Sequence, residues 1–246
     1  MPDPIKQSIE FYENEALKYD EKRWNTEGGR YNYKIQTDIV INYLDDWKGK
    51  KVLDIATGTG RFALELAKRG ADVTVLDSSL NMLTIVKDKF NQIGLEKKLH
   101  LQHGLATELD FPENEFDVCI CINALNHIPN YSDVLREIYR VLKPGGVSIT
   151  NYTNWVSYYL PFGLFVNLKK KSLVRDVYTK WFSIKEILSL HKINHLEVKK
   201  ISGAVHIPGK INNTILITIL RITDRISRSG IFKYIAPQIF IQAIKK

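Results

Sequence analysis

Residues 51–70 read KVLDIATGTGRFALELAKRG. Val52-Leu53-Asp54-Ile55 is short, apolar and β-branched enough to fill a buried parallel strand. The chain then breaks into Ala56-Thr57-Gly58-Thr59-Gly60 and resumes at Arg61. From there Phe62, Leu64, Leu66 and Ala67 fall at helical spacing as far as Gly70, a C-capping residue. The pattern is strand, glycine turn, helix. The two glycines let the main chain turn sharply and let a ligand approach the backbone where a Cβ would collide.

The flanking acids narrow what such a turn holds. Asp54 ends the first strand four residues before Gly58, and Val73-Thr74-Val75-Leu76 is a second apolar strand ending in Asp77. Asp77 stands at about the spacing from the turn at which an acid meets a ribose hydroxyl pair in nucleotide-binding α/β folds. An acid as close to the turn as Asp54 suits a ligand with a cationic amino-acid end and repels a pyrophosphate.

Outward from this unit, strands and helices alternate. Strands are expected at Lys51–Ile55, Asp72–Leu76, Leu99–His103, Phe116–Ile122 and Val147–Tyr152. Helices are expected at Arg61–Arg69, Ser79–Ile93 and Ser132–Leu142, with Pro144-Gly145-Gly146 turning the chain into the fifth strand. Near-continuous apolar strands separated by helices predict a parallel sheet covered on both faces. Upstream, Phe11 to Asp46 reads as two helices divided at Gly28-Gly29. Downstream, the capping-box pattern Ser183-Ile184-Lys185-Glu186 opens a helix over Ile184–His191. Strand Leu196–Ser202, a helix over Asn212–Ser229 and a closing strand Gln238–Ile244 follow.

Asp54-Ile55-Ala56-Thr57-Gly58-Thr59-Gly60 resembles the first motif of the class I S-adenosylmethionine-dependent methyltransferases, and the resemblance runs on for about a hundred residues. Asp77 to Leu83 is similar to the family's second-strand ending, and Phe111 to Val118 to its lead into strand four. Ala124-Leu125-Asn126-His127-Ile128-Pro129 is similar to the segment after that strand, and Arg140 to Gly146 to the turn before strand five. The small-molecule members, including those of quinone biosynthesis, are the nearest in pattern. The resemblance implies one domain over 1–246: a Rossmann-like, seven-stranded, mostly parallel sheet with helices on both faces and the last strand antiparallel. Residues 1–48 would form a helical lid and 49–154 the cofactor core, with acceptor-side cap segments at 155–195 and 206–235.

The same resemblance implies S-adenosylmethionine as cofactor and S-adenosylhomocysteine as product. Asp54 would meet the ammonium, Asp77 both ribose hydroxyls, and Met82 the adenine. Ala56, Thr57, Gly58, Gly60, Arg61, Ser78, Leu105, Ala106 and Asn123 would complete the cofactor's contacts. The family's usual adenine-binding acid is replaced here by Leu105, leaving Thr107, Glu108, a backbone carbonyl or the Ala106 amide to take its place. His127 is the candidate base, and Asn123 and Asn126 could orient either cofactor or acceptor. Tyr19, Trp24, Tyr31 and Tyr33 of the lid, with Trp155 and Tyr158 after strand five, are the acceptor-side candidates. No metal is expected.

Charge and composition bound the rest. The chain has 246 residues, 44% hydrophobic and 25% charged, enough for one well-buried α/β domain. Cys119 and Cys121 lie two apart on one expected strand; they are expected to face opposite sides and neither to bond each other nor to hold a metal. The first twenty residues are polar and no apolar run reaches the ~18 residues of a membrane span, so a cytoplasmic location is expected. The net charge of +8 is uneven: Lys169–Lys246 holds 16 Lys and Arg against 4 Asp and Glu, the remainder 19 against 23. That basic third, with Trp155, Tyr158, Tyr159, Phe162, Phe165, Tyr178, Trp181 and Phe182 before or within it, points to a large, flat or lipidic acceptor carrying negative charge, with peripheral contact to an anionic membrane. The protein is expected as a monomer or homodimer. An RNA methyltransferase is disfavoured, because no Asn-Pro-Pro-Tyr-type motif or RNA-binding module is present. A catalytically silent S-adenosylmethionine-binding protein is the other alternative. A dinucleotide dehydrogenase is disfavoured by Asp54 and by the lack of a second catalytic domain.

Overall fold

In the computed structural model, residues 3–157, 178–204 and 230–246 are described, with a few scattered positions between 218 and 228. The expected helix Asn212–Ser229 and most of the aromatic insert, including Tyr158, lie outside the described residues. Three helices come first: α1 (Pro4–Glu15), α2 (Tyr19–Trp24) and α3 (Glu27–Ile41). The core follows as β1 (Lys51–Ile55), α4 (Arg61–Ala67), β2 (Asp72–Asp77), α5 (Leu80–Gln92), β3 (Leu99–His103), β4 (Phe116–Cys121), α6 (Tyr131–Val141) and β5 (Leu142–Thr153). Then come α7 (Ile184–Ile193), β6 (Leu196–Ala204) and β7 (Gln238–Lys245).

The strands form one seven-stranded sheet in the order β3-β2-β1-β4-β5-β7-β6. Pairings from β3 through β5 are parallel, whereas β7 runs antiparallel to both β5 and β6. This is the sheet expected from the sequence, with its one antiparallel strand inserted last. The order reverses between β1 and β4, and at that switch point an open α/β sheet presents a crevice beyond its strand ends.

Each sheet face carries its own apolar layer. Val52, Val73, Val75 and Ile120 pack with Ile35, Val40, Leu66 and Val86 of α3, α4 and α5. Leu53, Ile55, Cys119 and Cys121 pack on the other side with Leu135 and Ile138 of α6 and Ile187 of α7. The expected opposite facing of Cys119 and Cys121 is corrected: side chains alternate along a strand, so residues two apart share one face, and both thiols lie in the same layer, free and buried.

Two expectations are corrected by packing. Gly28-Gly29 does not break a helix: both glycines lie in the first turn of α3, and Thr26 caps that helix by accepting from the Gly29 amide at 3.0 Å. A Cβ on Gly29 would sit 2.1 Å from the Arg23 carbonyl oxygen, so glycine there allows α3 to start against the end of α2. The Pro144-Gly145-Gly146 turn does not precede the fifth strand either. Phe116 pairs with Leu142 and Val118 with Val147, so residues 143–146 bulge out of a strand already begun. Lys143 in that bulge bonds Asp117 at 2.7 Å.

Candidate cofactor site

A cavity opens at the carboxyl ends of β1, β2 and β4, walled by the glycine turn and roofed by α1 and α2. Its floor is built by local backbone geometry. Ala56, Gly58 and Gly60 all have positive φ, at 53°, 55° and 75°. The two glycines serve different ends. A Cβ on Gly60 would lie 2.8 Å from Val86 of α5, so this glycine permits the turn to pack on the helix behind it. At Gly58 a Cβ would meet nothing within 4 Å, and Gly58 lines the cavity. Gly58 therefore supplies a cradle that a side chain would fill.

Asp77 stands at the rim of that cradle. Its Oδ2 accepts from the Gly58 amide at 2.8 Å and its Oδ1 from the Ser79 amide at 3.0 Å, while Ser79 caps α5 by accepting from Met82 at 3.1 Å. Each carboxylate oxygen keeps a second lone pair for a ligand hydroxyl. Burial pushes the Asp77 pKa up, against the pull of those backbone amides. Asp54, 2% exposed, lies one layer deeper. It does not line the cavity but accepts from the hydroxyl of Thr57, which does, at 2.7 Å. Burial raises its pKa to about 7.

At the far end, Ser78, Met82, Leu105, Ala106 and Thr107 line the cavity. Leu105 is 38% exposed and presents an apolar wall where the family pattern places an acid. Of the substitutes, Thr107 and Ala106 reach the cavity and Glu108 does not; the Glu108 amide closes a turn onto the Leu105 carbonyl at 3.2 Å.

Asn123, at the end of β4, also has positive φ (61°) and lines the cavity. Its amide is held in a buried network: Nδ2 donates to Gln36 Oε1 at 3.0 Å, and Oδ1 accepts from Asn151 Nδ2 at 2.9 Å. Gln36 in turn donates to Gln238 at 2.8 Å and accepts from Arg61 at 2.7 Å. Asn126 is turned away, bonding the hydroxyl and amide of Thr153.

On the roof, Tyr19 and Trp24 line the cavity as expected, together with Ile5, Ser8, Ile9 and Tyr12 of α1. Tyr31 and Tyr33 do not. Tyr31 packs on the core, and Tyr33 lies edge-on to Trp24 with ring centroids 5.9 Å apart. Trp155 is also outside the cavity and 47% exposed, its amide donating to the Phe182 carbonyl at 3.1 Å. His127 lines the cavity edge-on to Tyr12, with Nδ1 3.1 Å from the Tyr178 carbonyl oxygen. The α1 residues escaped sequence reading, although Asp3 caps the helix and Ile5, Ile9 and Tyr12 repeat at intervals of four and three. Gln36, Asn151 and Gln238 carried no local signal, because their partners lie far away in sequence.

A glycine cradle, an acid at its rim, a cavity end walled by Met82 and Leu105 and an acid behind Thr57 fit an amino-acid-bearing nucleoside. The fold and this arrangement resemble the core of the class I, S-adenosylmethionine-dependent methyltransferases. Residues 53–150 match the methyltransferase domain family. Over 102 residues the chain is 43% identical to the demethylmenaquinone methyltransferase of Listeria welshimeri, covering 40% of this chain and 43% of that one. It is 37% identical over 142 residues to that of Geobacillus stearothermophilus, covering 56% and 59%. The chain thus spans about half the length of the curated relatives it matches. In fold it resembles an S-adenosylmethionine-dependent methyltransferase of Thermotoga maritima, with TM-score 0.67 and 19% identity over 96% of this chain and 98% of that one. Among the described residues no helix is long and apolar enough to cross a membrane.

Proposed function

We propose that the protein transfers a methyl group from S-adenosylmethionine to a hydroxyl-bearing, small-molecule or lipid-like acceptor of the quinol type. The observation that carries this reading is the bridge from Asp77 to Gly58, which sets an acid at the mouth of a glycine cradle inside a roofed cavity. The names of the relatives support the acceptor class.

When bound, the cofactor supplies an electrophilic methyl on a sulfonium for in-line displacement. The chain's own work is alignment and water exclusion, for which effective molarity can contribute about 7–11 kcal/mol of the barrier. Asp77 holds hydroxyls, the apolar wall of Met82 and Leu105 holds a flat ring, and Ile5, Ile9, Tyr12 and Tyr19 keep water out. His127 takes the acceptor's proton. A carbonyl oxygen can only accept, so the contact with Tyr178 fixes the proton on Nδ1 and leaves the lone pair on Nε2.

An anionic or membrane-embedded acceptor fits the surface beyond the cavity. Asn154 donates to the carbonyls of Val156, Tyr234 and Ala236, gathering exposed Trp155, Val156, Tyr234 and Ile235 around it, with Lys180 and Lys233 near by in sequence.

The test is calorimetric titration with S-adenosylhomocysteine and, in parallel, NADH, followed by mass spectrometry of quinol analogues incubated with S-adenosylmethionine. Binding of the first ligand alone, and a product heavier by one CH2, is the expected result. Binding of NADH instead overturns the reading.

A further inference from the structure

Arg61 is buried, 7% exposed, at the start of the helix after the glycine turn, and it lines the cavity. Its guanidinium carbon lies 4.4 Å from the ring centroid of Trp24, 4.9 Å from that of Tyr33 and 4.1 Å from that of Phe62. Nη2 donates to Gln36 Oε1, a neutral amide whose own NH2 is fixed by Gln238. Among the described residues no carboxylate is bonded to this guanidinium. The two nearest in influence are engaged elsewhere: Asp20 accepts from Thr59 and Lys89, and Asp54 from Thr57.

A buried cation without an ionic partner is costly, because aromatic faces and one amide replace only part of its hydration. The deficit is visible atom by atom. Arg61 Nη1 is buried with no hydrogen-bond acceptor, and so are Trp24 Nε1 and Ser8 Oγ. All three belong to residues lining the same cavity. Three groups with unused donors around one buried positive charge call for an anion rich in acceptor atoms. A carboxylate has two oxygens and matches a guanidinium fork.

Resting on the methyltransferase reading, we propose that Arg61, with the Trp24 indole N–H, receives the α-carboxylate of the cofactor's amino-acid end. This moves Trp24 from the acceptor side to the cofactor side. It also makes the cavity's polar end a receptor for both charges of a zwitterion, with Asp54 acting behind Thr57 and Arg61 under the aromatic roof. The Gln36–Gln238 pair is then the support that fixes the guanidinium before ligand arrives.

The test compares S-adenosylhomocysteine with its decarboxylated analogue, 5′-(3-aminopropylthio)-5′-deoxyadenosine, which keeps purine, ribose, thioether and ammonium. Wild-type protein is expected to bind the carboxylate-bearing ligand about tenfold or more tightly, the discrimination of one charge-assisted contact. R61M keeps length and ring packing but not charge, and it should bring the two dissociation constants together by weakening only the first. W24F removes one N–H and keeps the ring; it should narrow the ratio in the same sense and decides the matter if R61M does not fold. Wild-type protein that binds both ligands equally, or a ratio that survives R61M, overturns the assignment while leaving the methyltransferase reading intact. Wild-type protein that binds neither ligand overturns both.

Discussion

The carboxylate of Asp77 accepts a hydrogen bond from the backbone amide of Gly58 at 2.8 Å. Nineteen residues apart in sequence, the two are the ends of adjacent parallel strands' loops, and the bond makes one rigid surface of the glycine turn and the start of α5. An acid that is both a structural strut and a ligand group behaves differently from one that is only either.

D77N should therefore weaken S-adenosylhomocysteine by about tenfold or more, through loss of charge-assisted bonds to hydroxyls. Its melting temperature should fall only slightly, since an amide oxygen can still accept from Gly58. Calorimetry and thermal unfolding measure the two effects. An unchanged dissociation constant would remove Asp77 from the site.

Gly60→Ala and Gly58→Ala should separate stability from binding. At Gly60 a methyl meets Val86 and the left-handed φ disfavours a side chain, so urea unfolding should show a loss of about 2 kcal/mol or more. Combining it with Val86→Ala should recover part of that loss. At Gly58 only the φ is unfavourable, about 1 kcal/mol, and the principal effect should be on ligand affinity.

Asp54 should leave its mark on the pH dependence of stability. Burial raises its folded pKa from 3.8 to about 7, so between those values the folded state binds more protons than the unfolded state. Stability from this group is therefore fully present below pH 3.8 and declines as pH rises to about 7, beyond which it is flat. Asp77 shifts in the same direction, so the comparison with D54N isolates Asp54. Parallel urea-midpoint profiles for wild type and D54N would contradict the assignment.

The roof is tied to the glycine turn by Lys89, which donates to Asp20 at 2.6 Å and to the Thr59 carbonyl at 2.8 Å, while the Thr59 hydroxyl donates to Asp20 at 2.6 Å. Both ionic partners are partly exposed, so K89M should cost little stability, about 0.5 kcal/mol. Its effect should appear in stopped-flow release of S-adenosylhomocysteine, quickened by roughly threefold to tenfold as α2 lifts more often.

H127N should leave S-adenosylhomocysteine affinity unchanged and reduce methyl transfer by about a hundredfold, the lower range for removal of a general base. Turnover equal to wild type would mean that His127 only supports the Tyr178 backbone.

The core was legible because its signals are local. A strand, a glycine turn and a helix announce themselves within twenty residues at Lys51–Gly70, and Asp77 falls at a fixed interval beyond them. What escaped depends on approach between distant segments. Gly28-Gly29 looks like a break until the Arg23 carbonyl is seen where a Cβ would be. Tyr31 and Tyr33 differ from Tyr19 only in which side of a helix pair they occupy. The Gln36, Asn123, Asn151 and Gln238 cluster joins four elements, and no spacing in sequence foretells it.

The placement of β7 between β5 and β6 governs how the protein can be made. Its backbone pairs with both neighbours along their lengths, Gln238 bonds Gln36 of α3, and the Phe240 carbonyl accepts from the Tyr43 hydroxyl at 3.0 Å. A nascent chain that has emerged only as far as residue 230 leaves the β5 and β6 edges without their shared partner, and α3 keeps its apolar packing on the sheet but lacks its bond to Gln238. Joining β5, β6 and α3 into one unit is therefore expected to wait until Gln238–Lys245 has emerged. Until then the edges of β5 and β6 are the surfaces a chaperone has to cover.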